Sequence, residues 1–198
     1  MIFDYQLVSG VFASALGLIG FVPYFRDILR GSTKPHPFSW FVWGLVSGVA
    51  FFAQLSGGGG IGAWVTGVGA LGCFTVAVLA LSRGEKRIVA LDWWSFMGAL
   101  AALVLWQLTD NPLSATILVM LTDALASIPT FHKAYLRPQE ETVATYAFGT
   151  VGFSFGLLGL RSFNLTTVLF PAYVALANAG LVALLLIRRR QLDKARRI

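Results

Sequence analysis

Long runs of apolar residues, separated by short polar breaks, dominate the chain. A membrane-spanning helix needs about 20 mostly apolar residues, and seven runs approach that length. They cover residues 6–25, 38–56, 61–82, 91–109, 112–136, 143–160 and 165–187. Glycine, proline and charged residues mark the breaks between them. The pattern predicts an all-α membrane protein with seven transmembrane helices.

The composition agrees with this pattern and excludes a soluble protein. Of 198 residues, 57% are hydrophobic and 12% are charged, whereas an average soluble domain carries about 25% charged residues. So few charges cannot cover a water-exposed surface, and the seven helices leave no room for a separate soluble domain. The first apolar run lacks a basic leader and a cleavage site, so we expect it to be retained as a helix.

The Lys and Arg residues predict the orientation of the helices. All of the 15 except Arg161 fall at the end of the first, third, fifth or seventh run or in the segment after it, and such residues mark the cytoplasmic side. The N-terminus is therefore predicted outside and the C-terminus in the cytoplasm of a multi-pass protein of the cell (inner or plasma) membrane. Because the charges follow helix ends rather than form a separate basic face, we expect contact with the lipid bilayer and no nucleic-acid partner.

An internal repeat divides the predicted helices. A shift of 106 residues places Pro23 on Pro129 and Trp40 on Tyr146, and lays the first three helices over the last three. Three helices reverse sides and one linker helix restores the starting side, so the two bundles are predicted to be parallel. The expected division is a first repeat at 1–82, a linker helix at 83–110, a second repeat at 111–187 and a basic cytoplasmic tail at 188–198.

These residues carry a resemblance to a known family. The segment Gly20-Phe21-Val22-Pro23-Tyr24, followed by a short basic loop and Ser39-Trp40, resembles the motif of the PQ-loop and SWEET superfamily, in a bacterial branch. A second copy is Ile128-Pro129-Thr130, followed by Thr145-Tyr146. Tyr24 and Thr130 stand where the PQ-loop branch has Gln. The resemblance covers the whole chain and implies a 3+1+3 helix arrangement.

Asp123 is the acidic residue placed deepest in a predicted helix. A carboxylate near the centre of a membrane is costly unless it is hydrated, paired or protonated, so it marks a functional site by default. We expect it to contact a substrate or to couple transport to protons. The alternative is a structural hydrogen bond to a neighbouring helix, for example to Asn178. Asn178 resembles the asparagine that lines the pocket of SWEET-like carriers, so solute binding is the other interpretation for that amide.

Three more residues are candidate substrate contacts. Gln54 lies nearer the outer end of the second helix, where it could face a vestibule. Phe52 and Phe155 lie where the SWEET-like carriers have an aromatic platform. Packing between helices is the alternative for all three. Four tryptophans, Trp40, Trp43, Trp93 and Trp94, fall near predicted cytoplasmic helix ends, which is typical of an interfacial aromatic belt.

Prolines and charges near the helix ends suggest moving parts. Pro23 and Pro129 lie inside helical patterns, where proline removes a backbone donor and kinks the helix, so a hinge pair or two static kinks are predicted. Arg161 with Asp4 or Asp110 is the candidate outer gate. Asp27 with Lys133, which occupy equivalent repeat positions with opposite charge, is the candidate inner gate. The alternative for the inner charges is a solvated loop face.

The sequence favours a small-molecule transporter for a sugar or small polar metabolite, working by alternating access between the two bundles. A non-transporting accessory, assembly or sensory protein is the alternative. No cluster of nucleophile, base or metal ligands occurs in the sequence, because Cys73 is the single cysteine and the two histidines lie far apart. We therefore expect no catalytic residue, metal or cofactor. A homo-oligomer is compatible with the small chain, and no feature fixes its order.

Overall fold

A computed structural model describes residues 4–108 and 112–195 of the chain. Two short 3-10 helices lie at Gly60–Ala63 and Pro138–Glu140. The α-helices of the described residues are α1 (Tyr5–Leu29), α2 (Pro37–Ser56), α3 (Trp64–Arg83), α4 (Ala90–Gln107), α5 (Pro112–Leu136), α6 (Val143–Leu158) and α7 (Leu165–Ala195). The predicted all-α class is confirmed, and each predicted apolar run forms one of the seven helices.

Local chemistry sets where several helices begin and end. The Asp4 carboxylate caps α1 by accepting a 3.0 Å hydrogen bond from the Leu7 backbone N–H. Pro37 stands at the start of α2, where a missing N–H costs nothing. The turn after α2 contains Gly58 and Gly60 with φ of 80° and 60°, a conformation that residues with a Cβ rarely adopt. The break between α2 and α3 therefore requires glycine.

Within the described residues, four segments are long and apolar enough to cross a membrane: α1, α2, α7, and α3 together with the 3-10 turn before it. Helix α6 is apolar but has only 16 residues, which corresponds to a length of about 24 Å. Large apolar side chains cover much of the outer surface, including Leu71, Leu81 and Leu176, each more than 70% exposed. A surface of this kind is typical of a protein that contacts lipid.

The helices pack in pairs that correspond under the 106-residue shift. Helix α1 packs against α6 and α3, and its counterpart α5 packs against α2 and α7. Helix α2 packs against α3, and its counterpart α6 packs against α7. Helix α4 packs mainly against α5. The arrangement brings the six helices other than α4 around one central space.

The ends of two helices differ from the predicted boundaries. Helix α1 continues to Leu29 rather than ending at residue 25, so Arg26 and Asp27 are helical. Helix α7 continues to Ala195, so Arg188 and Arg189 are also helical. An apolar run in the sequence ends at the first charged residue, whereas the backbone hydrogen bonds of the helix continue into the polar segment that follows.

Candidate functional site

A cavity of about 110 Å³ lies between the two groups of three helices. Residues of α1, α2, α3, α5, α6 and α7 line it, and none of the described residues of α4 does. A space of this size holds several water molecules. Of the predicted substrate contacts, Asp123 and Asn178 both line this cavity.

Asp123 is buried, and its described partners lie on α5 and α7. The Tyr173 hydroxyl on α7 donates to Oδ2 at 2.9 Å. The Ser127 hydroxyl donates to the backbone carbonyl of Asp123 at 2.8 Å and lies 3.5 Å from Oδ2. No hydrogen bond reaches Oδ1 from any residue that the structure describes. One carboxylate oxygen is therefore anchored within the second three-helix group and the other is left for a ligand or water.

Asn178 and Thr145 add polar groups to the cavity. The Asn178 amide donates to the Val174 carbonyl at 2.9 Å and makes no bond to Asp123, so the alternative suggested from sequence for this pair is not what the structure shows. Thr145 is buried, lines the cavity, and its hydroxyl has no hydrogen-bond partner in the described part of the chain. The hydroxyl oxygen of Thr145 is itself inaccessible, so the polar group with unused bonding capacity in the cavity wall is the side-chain oxygen of Asn178, which accepts no bond from the described residues.

Glycines shape the first-repeat side of the cavity. Gly72 occupies the repeat position equivalent to Asn178, and the Phe21 ring lies where a Cβ on Gly72 would be. Gly17 occupies the position equivalent to Asp123 and also lines the cavity. The two halves of the site are therefore chemically different. The second repeat contributes the Asp123 carboxylate and the Asn178 amide, and the first repeat has glycine at both equivalent positions, with the Phe21 ring beside Gly72.

Two of the four inner tryptophans point into the molecule. Trp40 is buried, and both Trp40 and Trp43 line the cavity, with the Trp43 indole donating to Ser127 at 3.2 Å. Trp93 and Trp94 are exposed, as an aromatic belt requires. The belt interpretation therefore fits the α4 tryptophans and not those of α2.

The other predicted substrate contacts lie away from this cavity. Gln54 is buried and exchanges hydrogen bonds with Thr66, at 3.2 and 3.3 Å. Phe52 is exposed, and Phe155 packs edge-on against Phe12 with ring centroids 4.8 Å apart. None of the three lines the cavity that contains Asp123.

A buried ion pair closes one end of the cavity, on the side of the basic chain end. Lys133 of α5 pairs with Glu141, which lies just before α6, and both are at most 3% exposed. The hydroxyls of Tyr24 and Tyr146 donate to Glu141 Oε2 at 3.1 and 2.8 Å. The Trp40 indole in turn donates to the Tyr24 hydroxyl at 3.2 Å. Because Trp40 and Tyr146 also line the cavity, this cluster forms its inner boundary.

The predicted inner pair of Asp27 with Lys133 is not formed. Asp27 instead bonds the Arg26 guanidinium and the Thr142 hydroxyl, both at 2.9 Å. Lys133 points to Glu141 and to backbone carbonyls of the same region. The two residues belong to one inner cluster, but Glu141 supplies the counter-charge, and the Asp27 carboxylate is taken up by Arg26 and Thr142.

The two predicted hinge prolines lie beside this cluster. Pro23 directly precedes Tyr24 and Pro129 is buried in α5, and both helices continue past their proline. The Ser39 hydroxyl donates at 2.5 Å to the carbonyl of Ala126, in the turn before Pro129. Each proline thus lies between the cavity and the inner ion pair.

Two loop residues near the buried ion pair, Glu85 and His36, contact residues of the other helices. Glu85 pairs with Arg137, which directly follows α5, and His36 lies beside Asp92 of α4. Burial raises the pKa of Glu85, but the Arg87 backbone N–H and the Arg137 guanidinium outweigh it and hold the pKa below the usual range. Burial lowers the pKa of His36 although Asp92, at 3.3 Å, opposes this. His36 is therefore neutral at pH 7, and Glu85 is charged.

The opposite end is closed by close backbone packing and an exposed ion pair. Arg161 pairs with Asp4 and also donates to Gln6 Oε1 at 3.2 Å. A Cβ on Gly159 would lie 2.7 Å from the Gly10 backbone nitrogen, so α1 and the end of α6 approach closely. The Leu7 backbone N–H and the Arg161 guanidinium hold the pKa of Asp4 below its usual value. Asp110, the other candidate for this gate, lies outside the described residues.

No family model, curated protein or solved structure matches this chain. The chemistry of the site comes from a carboxylate with one unbonded oxygen, the side-chain oxygen of Asn178 and an aromatic lining. No group of three His, Cys, Asp or Glu side chains that could hold a metal ion occurs within residues 4–108 and 112–195. The arrangement can bind a small polar molecule and exchange a proton at Asp123.

Sequence reasoning missed Tyr173 as the partner of Asp123, and Glu141 as the partner of Lys133. Ser127 follows Asp123 by four residues, a helical spacing that places both on one face, so this contact could have been found. The repeat places Trp40 and Tyr146 at equivalent positions. This equivalence was the sequence signal that both residues border the same end of the cavity.

Proposed function

We propose that the protein is a small-molecule transporter of the cell membrane that works by alternating access. The two three-helix groups would rock about the central cavity and expose it to each side in turn, as parallel-repeat transporters do. The observation that carries the proposal is the cavity between the groups, with a buried carboxylate in its wall. A dry, tightly packed contact at Asp123 would have favoured a purely structural protein. The solute would be a sugar or another small polar metabolite.

The proposed topology has seven transmembrane helices with the N-terminus outside and the C-terminus in the cytoplasm. In the part of the chain that the structure describes, four helices meet the length and hydropathy of a membrane span, and α4, α5 and α6 would complete the seven. The corresponding helix pairs support two parallel repeats joined by α4. The basic residues at one end favour the orientation.

Opening toward each side would break a different closure. The cytoplasmic side is held by the hydrogen bond from Tyr24 of the first group to Glu141, whose other partners Lys133 and Tyr146 belong to the second group. The outer side is held by the exposed Asp4–Arg161 pair, which joins the two groups. Pro23 and Pro129 lie where each repeat would bend. In a double variant with both prolines replaced by alanine, we expect slower transport with unchanged solute affinity. Unchanged transport would contradict a hinge role.

Proton coupling would act through Asp123. The groups facing it are the hydroxyls of Tyr173 and Ser127, and the Cys73 thiol lines the same cavity. None of these carries a positive charge, so a proton or a cationic solute would neutralise the carboxylate. A single group would then link the occupancy of the cavity to the proton gradient.

Uptake by the purified full chain in proteoliposomes tests the proposal. A panel of radiolabelled sugars and small polar metabolites, with and without an imposed pH gradient, would identify a transported solute. We expect Asp123→Asn to abolish uptake or its pH dependence. The matched control is Asp193→Asn, which changes an exposed carboxylate at the end of α7 and leaves uptake intact. Transport that is the same in both variants would contradict the role of Asp123.

A non-transporting membrane protein is the second candidate. The hydrogen bond from Tyr173 ties α5 to α7 through Asp123, which favours a structural carboxylate. In that case Asp123→Asn and Tyr173→Phe would lower the melting temperature by similar amounts, and no member of the solute panel would be accumulated.

A further inference from the structure

Aromatic side chains from both three-helix groups form much of the cavity wall. Those lining it are Phe21, Trp40, Trp43, Phe131, Tyr146 and Phe153. The Trp40 and Trp43 rings meet edge to face, 5.1 Å apart and at 78°. The Phe21 and Trp40 rings are 6.2 Å apart at 62°. The rings border the cavity from both three-helix groups, and we call them the aromatic box.

The charge in this box is not balanced by the protein. Asp123 is the acidic residue in the lining, and no Lys, Arg or His lines the cavity among the described residues. Its two bonded neighbours, Tyr173 and Ser127, are neutral hydroxyls directed at Oδ2. Oδ1 accepts no bond from them. A cationic solute would therefore balance a charge that the protein itself leaves to water or to a proton.

Aromatic faces and a carboxylate together select one class of solute. The face of an aromatic ring is electrostatically negative, and rings arranged as a cage bind quaternary and alkylated ammonium ions. A sugar instead requires many hydrogen-bonding partners, because each hydroxyl buried without one costs free energy. Here the Ser127 hydroxyl is already used within the protein, and the Asn178 amide donates one N–H to the Val174 carbonyl. The Asn178 side-chain oxygen, which accepts no bond from the described residues, suffices for one polar substituent.

We propose that the solute is a small organic cation, an alkylated ammonium ion bearing at most a short polar substituent. Its charge would lie against Asp123 Oδ1, its alkyl groups against the rings of Trp40, Trp43 and Phe21, and its hydroxyl against the side-chain oxygen of Asn178. This inference rests on the proposed transport function and narrows it, because it excludes sugars as the main solute.

The test compares two compounds of one shape that differ in charge. Choline and 3,3-dimethyl-1-butanol, its neutral carbon isostere, are titrated against the purified full chain in phosphate buffer, with glucose as the sugar. Melting temperature and tryptophan fluorescence report binding, since Trp40 and Trp43 line the cavity. We expect choline to bind about tenfold to a hundredfold more tightly than the isostere, and glucose to give no shift.

Variants assign the two parts of the recognition. Asp123→Asn is expected to remove the preference for the charged compound, and Phe21→Leu to weaken choline binding about tenfold. The control is Phe52→Leu, an exposed phenylalanine outside the cavity, which should bind choline like the unmodified protein. Size-exclusion profiles establish that each variant is folded, and the comparison of compounds on the unmodified protein stands without them.

The outcomes separate this inference from the transport proposal. Equal affinity for choline and its isostere, or binding of glucose without choline, overturns the cation inference and leaves a transporter of neutral solutes. Absence of any choline response also overturns it. If, in addition, no member of the wider solute panel binds or is accumulated, the transport proposal falls as well.

Discussion

Replacing Glu141 by glutamine is expected to leave Lys133 buried without a counter-charge. Lys133 is 3% exposed and Glu141 is 1% exposed, and the pair is enclosed by the Tyr24 and Tyr146 hydroxyls. Removing one partner of a buried ion pair costs about 3–5 kcal/mol. The glutamine keeps one oxygen that can accept from a tyrosine, so a value toward the lower end is expected. This is a large share of the roughly 5–15 kcal/mol that stabilises a typical protein.

Thermal unfolding of the purified full chain in detergent measures the effect. For a chain of this length, 1 kcal/mol shifts the melting temperature by about 2–4 °C, so Glu141→Gln should lower it by about 6–20 °C. The control is Glu140→Gln, because Glu140 pairs with the partly exposed Lys34 and Arg137. Such pairs contribute at most about 1 kcal/mol. Equal losses in the two variants would refute the assignment of a buried pair.

A second substitution separates loss of charge balance from loss of shape. In the Glu141→Gln background, Lys133→Met removes the unbalanced ammonium group and should recover part of the lost stability. The recovery is incomplete because Lys133 also donates to the backbone carbonyl of Glu140 at 3.4 Å. A double variant that is less stable than Glu141→Gln alone would show that charge balance is not the cause.

The helices of the fold could be predicted because a long apolar run is a local property of the sequence. Asp123 and Asn178 could be placed at one cavity for a similar reason, since each is a polar residue deep in such a run. The repeat also predicted that Trp40 and Tyr146 hold equivalent places, and both line the cavity. Depth along a helix follows from counting residues, which needs no knowledge of neighbours.

The direction in which a side chain points could not be predicted with the same success. A helix that is apolar all round has no polar face to fix its rotation, so Phe52 and Phe155 could be placed at a depth but not toward the cavity. The pairing of Lys133 with Glu141 rather than Asp27 depends on how closely α1, α5 and α6 approach. That approach is set by tertiary packing and by the course of the loop before α6.

The ion pairs at the two ends of the cavity differ in burial, and this difference predicts which end opens more readily in the proposed transport cycle. The inner pair is almost inaccessible to solvent, so opening that side hydrates two charges that are held by tyrosines. The outer Arg161 and Asp4 side chains are 46% and 36% exposed and remain hydrated when they separate. We therefore expect the empty protein to open more readily to the outside, with a bound solute helping to open the inner side.

Two further predictions concern the glycine contact and the outer pair. Gly72→Ala should cost about 1–3 kcal/mol because Phe21 occupies the space, and the displaced ring should weaken solute binding. In the control variant Gly48→Ala the added methyl group meets open space, so this variant should be neutral or stabilising. Equal melting temperatures of the two variants would contradict the close packing of Phe21 against Gly72. Because the pKa of Asp4 is lowered in the folded protein, by the Leu7 backbone N–H and then Arg161, the outer interaction is complete above the usual aspartate pKa and is lost as pH falls through the lowered value. The difference in melting temperature between the unmodified protein and Arg161→Gln should therefore be constant from about pH 8 to 5 and shrink below about pH 4. A difference that changed between pH 5 and 8 would mean that another group, and not Asp4, is the titrating partner of Arg161.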